Sequence, residues 1–159
     1  MRHKVYIETS VISYLTSRPS RDLVVAANQE VTRDWWAIAR ERFELFISEA
    51  VVQEIAAGDA EAAAERRQVV VDVPMLVGSP DALVLAKRFL SAGVIPAKAA
   101  QDALHIALAT IYGVDYVVTW NCKHIANAMS QRQIEQISRA CGYEPPVLCT
   151  PLELMEDHP

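Results

Sequence analysis

Short apolar runs alternate with longer segments of helical periodicity along this chain, and that alternation limits the possible folds more than any other feature. Five runs have the length and the β-branched or aromatic content of strands, at residues 4–7, 43–47, 69–73, 116–119 and 147–149. Strands that alternate with helices favour a parallel sheet covered on both faces. The sequence therefore predicts an α/β fold.

Capping residues and chain breakers locate the helices between these strands. Asp22 follows a loop with Pro19 and can cap a long helix that ends near residue 42, and Ser48 can cap a short helix that ends near residue 58. Gly113 is a good stop for an apolar helix over residues 97–112. Further helices are predicted at about residues 9–15, up to residue 67, at 81–92 and at 130–141.

Composition places the chain among globular proteins. Its 159 residues, 52% apolar and 22% charged, fit one domain over residues 1–159. Glu8 interrupts the first apolar run, so we expect no secretory signal, and without about 18 consecutive apolar residues we expect no membrane span. Three cysteines with no CxxC spacing argue against zinc and redox motifs and suit a reducing cytosol, so a cytoplasmic location is expected.

The net charge of −5 bears on possible partners. A nucleic-acid-binding protein usually has a basic surface, so this charge argues against one. A metal-dependent nuclease is the exception, because its carboxylates are concentrated in one pocket where the metal inverts the sign of the local charge. The charge therefore weakens a nucleic-acid hypothesis without removing it.

Four oxygen-bearing side chains occupy positions where a ligand site is expected. Glu8 follows the first strand, Glu54 lies on the helix after the second, and Asn121 follows the fourth. Asp102 begins a mostly apolar helix, where a carboxylate needs a partner or a metal. Each has an ordinary alternative explanation, as a capping, surface or turn residue. Together they are more informative, because ligands in open α/β sheets bind beyond the carboxyl ends of the strands.

The chemistry of these side chains favours a hard cation. Carboxylate and amide oxygens without a His and Cys set favour Mg²⁺ or Mn²⁺ over zinc. Thr119 could orient a neighbouring acid, and Lys123 and His124 are candidate phosphate contacts at the same rim. His105, one turn after Asp102, is expected to be a core or hydrogen-bonding residue rather than a ligand. A metal held there could support in-line attack on a phosphodiester.

Four segments together resemble the PIN-domain family, in particular the VapC-like toxins of prokaryotic toxin–antitoxin pairs. They are VYIETS at residues 5–10, ISEAVVQEI at 47–55, QDALHIA at 101–107 and DYVVTWN at 115–121. The resemblance implies a three-layer α/β/α sandwich with a five-stranded parallel sheet. It also implies Mg²⁺- or Mn²⁺-dependent cleavage of RNA, a cognate antitoxin that blocks the acidic pocket, and frequent homodimers.

Carried over by position, the resemblance implies roles for individual residues. Glu8, Glu54 and Asp102 match the three acids, and Thr9 or Ser10 matches the hydroxyl beside the first. Glu8 and Asn121 stand where the family usually has Asp. The amide removes one negative charge, so we expect weaker metal binding, and either a nuclease with one metal or an attenuated nuclease.

Two other functions stay open at this point. A degenerate pocket could make the chain an RNA- or protein-binding module without catalysis. A receiver-like phosphoacceptor is disfavoured, because it needs an Asp at the end of a central strand, where this chain has Glu8, Ser48 and Asn121.

Overall fold

The computed structural model describes residues 2–155. The strands are β1 (His3–Ile7), β2 (Phe43–Ser48), β3 (Met75–Leu76), β4 (Tyr116–Val118) and β5 (Val147–Cys149). The α-helices are α1 (Thr9–Thr16), α2 (Leu23–Arg42), α3 (Glu49–Ile55), α4 (Ala60–Val69), α5 (Pro80–Ser91), α6 (Ala100–Ile111) and α7 (Ala128–Ala140). Short 3-10 helices precede α6 and follow β5, at Ala97–Ala99 and Pro151–Leu154.

The strands form one parallel sheet in the order β3-β2-β1-β4-β5. Central β1 pairs with β2 from His3 opposite Phe43, and with β4 from Val5 opposite Tyr116. The last three residues of β1 are completely buried, as expected for a strand covered on both faces. The predicted three-layer α/β/α sandwich with a five-stranded parallel sheet is confirmed.

The order of the strands reverses between β1 and β4. The chain moves outward from β1 through β2 to β3, and then crosses back to place β4 on the other side of β1. The backbone N–H of Glu8, just past β1, donates to the carbonyl oxygen of Val118 at 3.1 Å, which ties the two carboxyl ends together. Ligand sites in open α/β sheets form at such a reversal.

The third predicted strand was wrong. Val69 ends α4, a turn follows it, and β3 begins only after Pro74, whose carbonyl oxygen accepts from the N–H of Ile47 at 3.0 Å. Val70 and Val73 are the buried members of the apolar run, and their spacing of three suits a turn rather than the alternation of a strand. Val70 and Val73 therefore pack into the core from the turn that follows α4.

The remaining elements were predicted to within a few residues. The helix predicted at 97–112 begins with a 3-10 turn before α6, and α7 begins two residues earlier than expected because the side chain of Asn127 accepts from the N–H of Met129. Within residues 2–155, no helix combines the length and the apolar character needed to cross a membrane.

Candidate metal centre

Glu8 is held at the end of the central strand by two hydroxyl groups. Its side chain is almost fully buried, and its Oε1 accepts hydrogen bonds from Ser10 Oγ and Thr119 Oγ1, both at 2.5 Å. Ser10 Oγ also accepts from the backbone N–H of Trp120 at 2.8 Å. Ser10 belongs to α1, which follows β1, and Thr119 follows β4. These bonds therefore fix the carboxylate between the carboxyl ends of β1 and β4, where the strand order reverses.

Glu54 brings a second carboxylate to the same place from the last turn of α3. Its Oε1 accepts from Thr9 Oγ1 at 2.7 Å and bonds to His105 Nε2 at 2.5 Å. Burial raises the pKa of Glu54, but the hydrogen bonds from His105 and Thr9 and the charge interaction with His105 outweigh it, so the pKa is below its usual value. The contacts of Glu54 thus favour its anionic form.

A buried chain of hydrogen bonds lies behind Glu54. His105, which is completely buried, bonds through Nδ1 to Tyr6 Oη at 2.6 Å, and Tyr6 Oη bonds to Ser48 Oγ at 2.7 Å. Every hydrogen-bonding group along this chain has a partner, because the Nε2–H of His105 donates to Glu54 and the Tyr6 hydroxyl bonds to both Nδ1 and Ser48 Oγ. Burial raises the pKa of Tyr6 well above its usual value, so its hydroxyl keeps the proton that it donates.

These side chains fit a hard divalent cation. One potential ligand atom from each of Glu8, Glu54 and His105 lies within 4.8 Å of the others, a spacing that one ion with ligand distances of about 2.0–2.6 Å can bridge. Each carboxylate uses Oε1 for its hydrogen bonds, and within residues 2–155 neither Oε2 accepts one. Both nitrogens of His105 are engaged in hydrogen bonds, as expected for a hydrogen-bonding residue, so the two carboxylates are the available ligands of the three residues. We call Glu8, Glu54 and His105 the acidic cluster.

Asp102 is not one of the three residues of this cluster, and the contacts of Asn121 are those of a turn. Asp102 is half-buried in the first turn of α6, three residues before His105, so the two are neighbours on the helix surface. Asn121 Oδ1 accepts from the backbone N–H of His124 at 3.0 Å, which is ordinary turn chemistry. Lys123 is exposed in that turn and His124 is half-buried.

The sequence did not identify Tyr6 and Ser48 as partners of the site. Tyr6 was included only as one of the apolar residues of the first strand, and Ser48 only as a helix cap, a role that it does have because its Oγ accepts from Val51 N–H. A buried tyrosine needs a partner for its hydroxyl, and a histidine on an apolar helix needs partners for its ring nitrogens. These two requirements were the signal in the sequence that could have predicted a hydrogen bond between Tyr6 and His105.

Comparison with known proteins bears on the fold. No family model and no curated protein matches the sequence. The structure is similar to a chain in the crystal structure of VapBC2 from Rickettsia felis bound to a DNA fragment from their promoter, with a TM-score of 0.55, 14% identity, and coverage of 76% of this chain and 89% of that chain. At this identity the likeness shows the fold alone. The chain therefore shares the fold of a chain in that complex, in agreement with the PIN-like sandwich that the sequence resemblance implied.

Proposed function

We propose that this protein is a metal-dependent endoribonuclease, the toxin of a type II toxin–antitoxin pair. The observation that carries the proposal is the pair of carboxylates at the strand-order reversal, each held through one oxygen and with the other free of hydrogen bonds from residues 2–155. A site built only to stabilise the fold has no reason to bring a buried carboxylate, Glu8, next to a half-buried one, Glu54, because the two repel each other without a cation.

In this proposal the residues of the site have distinct tasks. Glu8 and Glu54 hold Mg²⁺ or Mn²⁺, while Asp102 and Asn121 complete the site, directly or through water. When bound, such an ion polarises a phosphodiester and lowers the pKa of water. Ser10 and Thr119 orient Glu8, and Thr9 and His105 orient Glu54.

The rim after β4 completes the substrate site in the proposal. Lys123 and His124 lie in the turn that follows Trp120, at the carboxyl end of the strand. Their side chains would meet the phosphates that the acidic cluster alone would repel. The amide of Asn121 leaves the site with one charge fewer than an all-carboxylate set, which favours a single metal ion.

The proposed partners follow from the fold and from the neighbouring structure. VapBC2 is described as bound to promoter DNA, and its likeness supports a cognate antitoxin as the partner of this chain. We extend the proposal to an antitoxin that covers the acidic cluster, to a homodimer and to a cytoplasmic location.

The proposal is tested first with the unmodified protein. We expect cleavage of RNA in Mg²⁺ or Mn²⁺, its loss with EDTA, and heat of binding when Mn²⁺ is titrated calorimetrically. Absence of both heat and cleavage at millimolar metal would instead support the alternative, a catalytically attenuated module that binds RNA or protein.

Asp102→Asn is the second test. The change removes one negative charge without changing the size of a half-buried side chain, so we expect the fold to be retained. If Asp102 acts on the metal through water, cleavage should fall by roughly 10–100-fold. Cleavage rates at saturating Mg²⁺ and thermal unfolding of both proteins measure this, and full Mg²⁺-dependent activity in the variant would remove Asp102 from the site.

A further inference from the structure

Two stacked aromatic rings lie beside the acidic cluster. The rings of Tyr14 and Trp120 are 5.8 Å apart between centroids and only 14° from parallel, and both side chains are partly exposed. Trp120 packs against the core and its Nε1 donates to Thr32 Oγ1 of α2 at 2.7 Å. Its orientation is therefore fixed by contacts on the inner side. We call Tyr14 and Trp120 the aromatic platform.

Hydrogen bonds connect the platform to the carboxylates. Ser10 Oγ donates to Glu8 and accepts from the backbone N–H of Trp120. Tyr14 lies four residues after Ser10 on α1, so the two side chains are on one face of the helix. Four residues of helix rise only about 6 Å. The platform therefore begins about one helical turn from the candidate metal centre.

Positively charged residues follow both residues of the platform in the sequence. Arg18 and Arg21 lie in the loop that follows α1, and Lys123 lies three residues after Trp120. All three are exposed, and no ion pair joins them to another residue in the range 2–155. Unpaired cations on either side of partly exposed rings are the combination that binds a single-stranded nucleic acid, in which the cations meet phosphates and the rings meet bases.

We propose that the aromatic platform binds an unpaired nucleobase next to the phosphate that enters the acidic cluster, with Tyr14 as the stacking residue. The inference rests on the proposed nuclease function and narrows its substrate to single-stranded RNA. A base paired within a duplex has both of its faces covered by its neighbours, whereas an unpaired base can leave the stack and lie on a ring. Stacking is tolerant of sequence, so the platform selects for single strands rather than for one base.

Equilibrium binding separates this role from simple helix packing. A fluorescein-labelled ten-residue oligouridine is titrated with the whole protein in Ca²⁺, and its integrity is checked on a gel. Tyr14→Leu removes the π face and should weaken binding about 5- to 150-fold, the effect of one lost base stack. Tyr14→Phe keeps the ring and should bind like the unmodified protein. Tyr112→Leu is the matched control, because it makes the same change at an exposed tyrosine that caps the C-terminal end of α6, and Tyr112 is not part of the platform.

Two further ligands distinguish stacking from a change in fold or charge. An abasic oligonucleotide of the same length, and a fully paired RNA duplex, should bind the unmodified protein and Tyr14→Leu equally. The inference is overturned if Tyr14→Leu binds oligouridine normally, if it weakens all three ligands alike, or if the unmodified protein binds no RNA. Cleavage is assayed separately and tests the nuclease proposal. If the unmodified protein does not cleave RNA but Tyr14→Leu still weakens oligouridine binding, the platform is supported and the nuclease function is not.

Discussion

Replacing Glu8 with glutamine is expected to reduce RNA cleavage by roughly a thousand-fold and to stabilise the metal-free protein at the same time. The loss follows because a metal ion contributes several kcal/mol of charge stabilisation, and each 1.36 kcal/mol is about a factor of ten in rate. Glutamine keeps an Oε1 that can accept from Ser10 and Thr119, so the local structure is expected to remain.

The gain in stability has an electrostatic cause. Ligand atoms of Glu8 and Glu54 lie within 4.8 Å of each other, and Glu8 is only 5% exposed. Removing one of two neighbouring negative charges relieves a repulsion of about 3.5 kcal/mol for a separation of this size at an effective dielectric constant of about 20. For a protein of this size, that corresponds to a rise in Tm of about 7–14 °C.

Thermal unfolding with and without Mn²⁺ measures both effects. The unmodified protein should gain stability on addition of Mn²⁺, and Glu8→Gln should not. Glu44→Gln is the matched control, because Glu44 is exposed on the same sheet in the first half of β2, away from the carboxyl edge. Cleavage by Glu8→Gln within tenfold of the unmodified rate, or a Mn²⁺-induced rise in Tm equal to that of the unmodified protein, would exclude Glu8 as a ligand.

His105→Ala is expected to lower the free energy of unfolding by about 3–5 kcal/mol, the range for truncating a large buried ring. The ring is completely buried and bonds to Tyr6 on one side and Glu54 on the other. Its removal leaves a cavity, leaves the Tyr6 hydroxyl without an acceptor, and takes from Glu54 the contact that contributes most to lowering its pKa. Cleavage should fall as well, because Glu54 loses its orientation.

Urea unfolding of three variants tests this expectation. Tyr6→Phe deletes one hydroxyl from the same chain of bonds, and we expect a smaller loss of about 1–3 kcal/mol. His124→Ala changes a half-buried histidine of the turn after β4, and a change within about 0.5 kcal/mol is expected for such a position. If His105→Ala were no less stable than His124→Ala, the buried chain of hydrogen bonds would not contribute to the fold.

The location of the candidate site could be predicted from the sequence because it depends on local patterns. Short apolar runs identified β1, β2, β4 and β5, and parallel strands bring their carboxyl ends to one edge. Glu8 and Asn121 were therefore placed at that edge by their positions in the chain. The third strand could not be located in this way. Val70 and Val73 belong to a run with the β-branched composition of a strand, but they lie in a turn, and their buried positions do not alternate with exposed ones as in a strand.

The contacts within the site could be decided only by the tertiary structure. The bond between Tyr6 and His105 joins residues 99 positions apart, and that between Thr119 and Glu8 joins residues 111 positions apart. No local pattern of apolar and polar residues specifies such a pair, because it depends on the order of strands across the sheet. The composition and spacing of this chain therefore determined an α/β fold with carboxylates at one edge of the sheet. The return of the chain across β1 determined which carboxylates meet, which hydroxyls and ring nitrogens hold them, and that Tyr14 and Trp120 stack beside them.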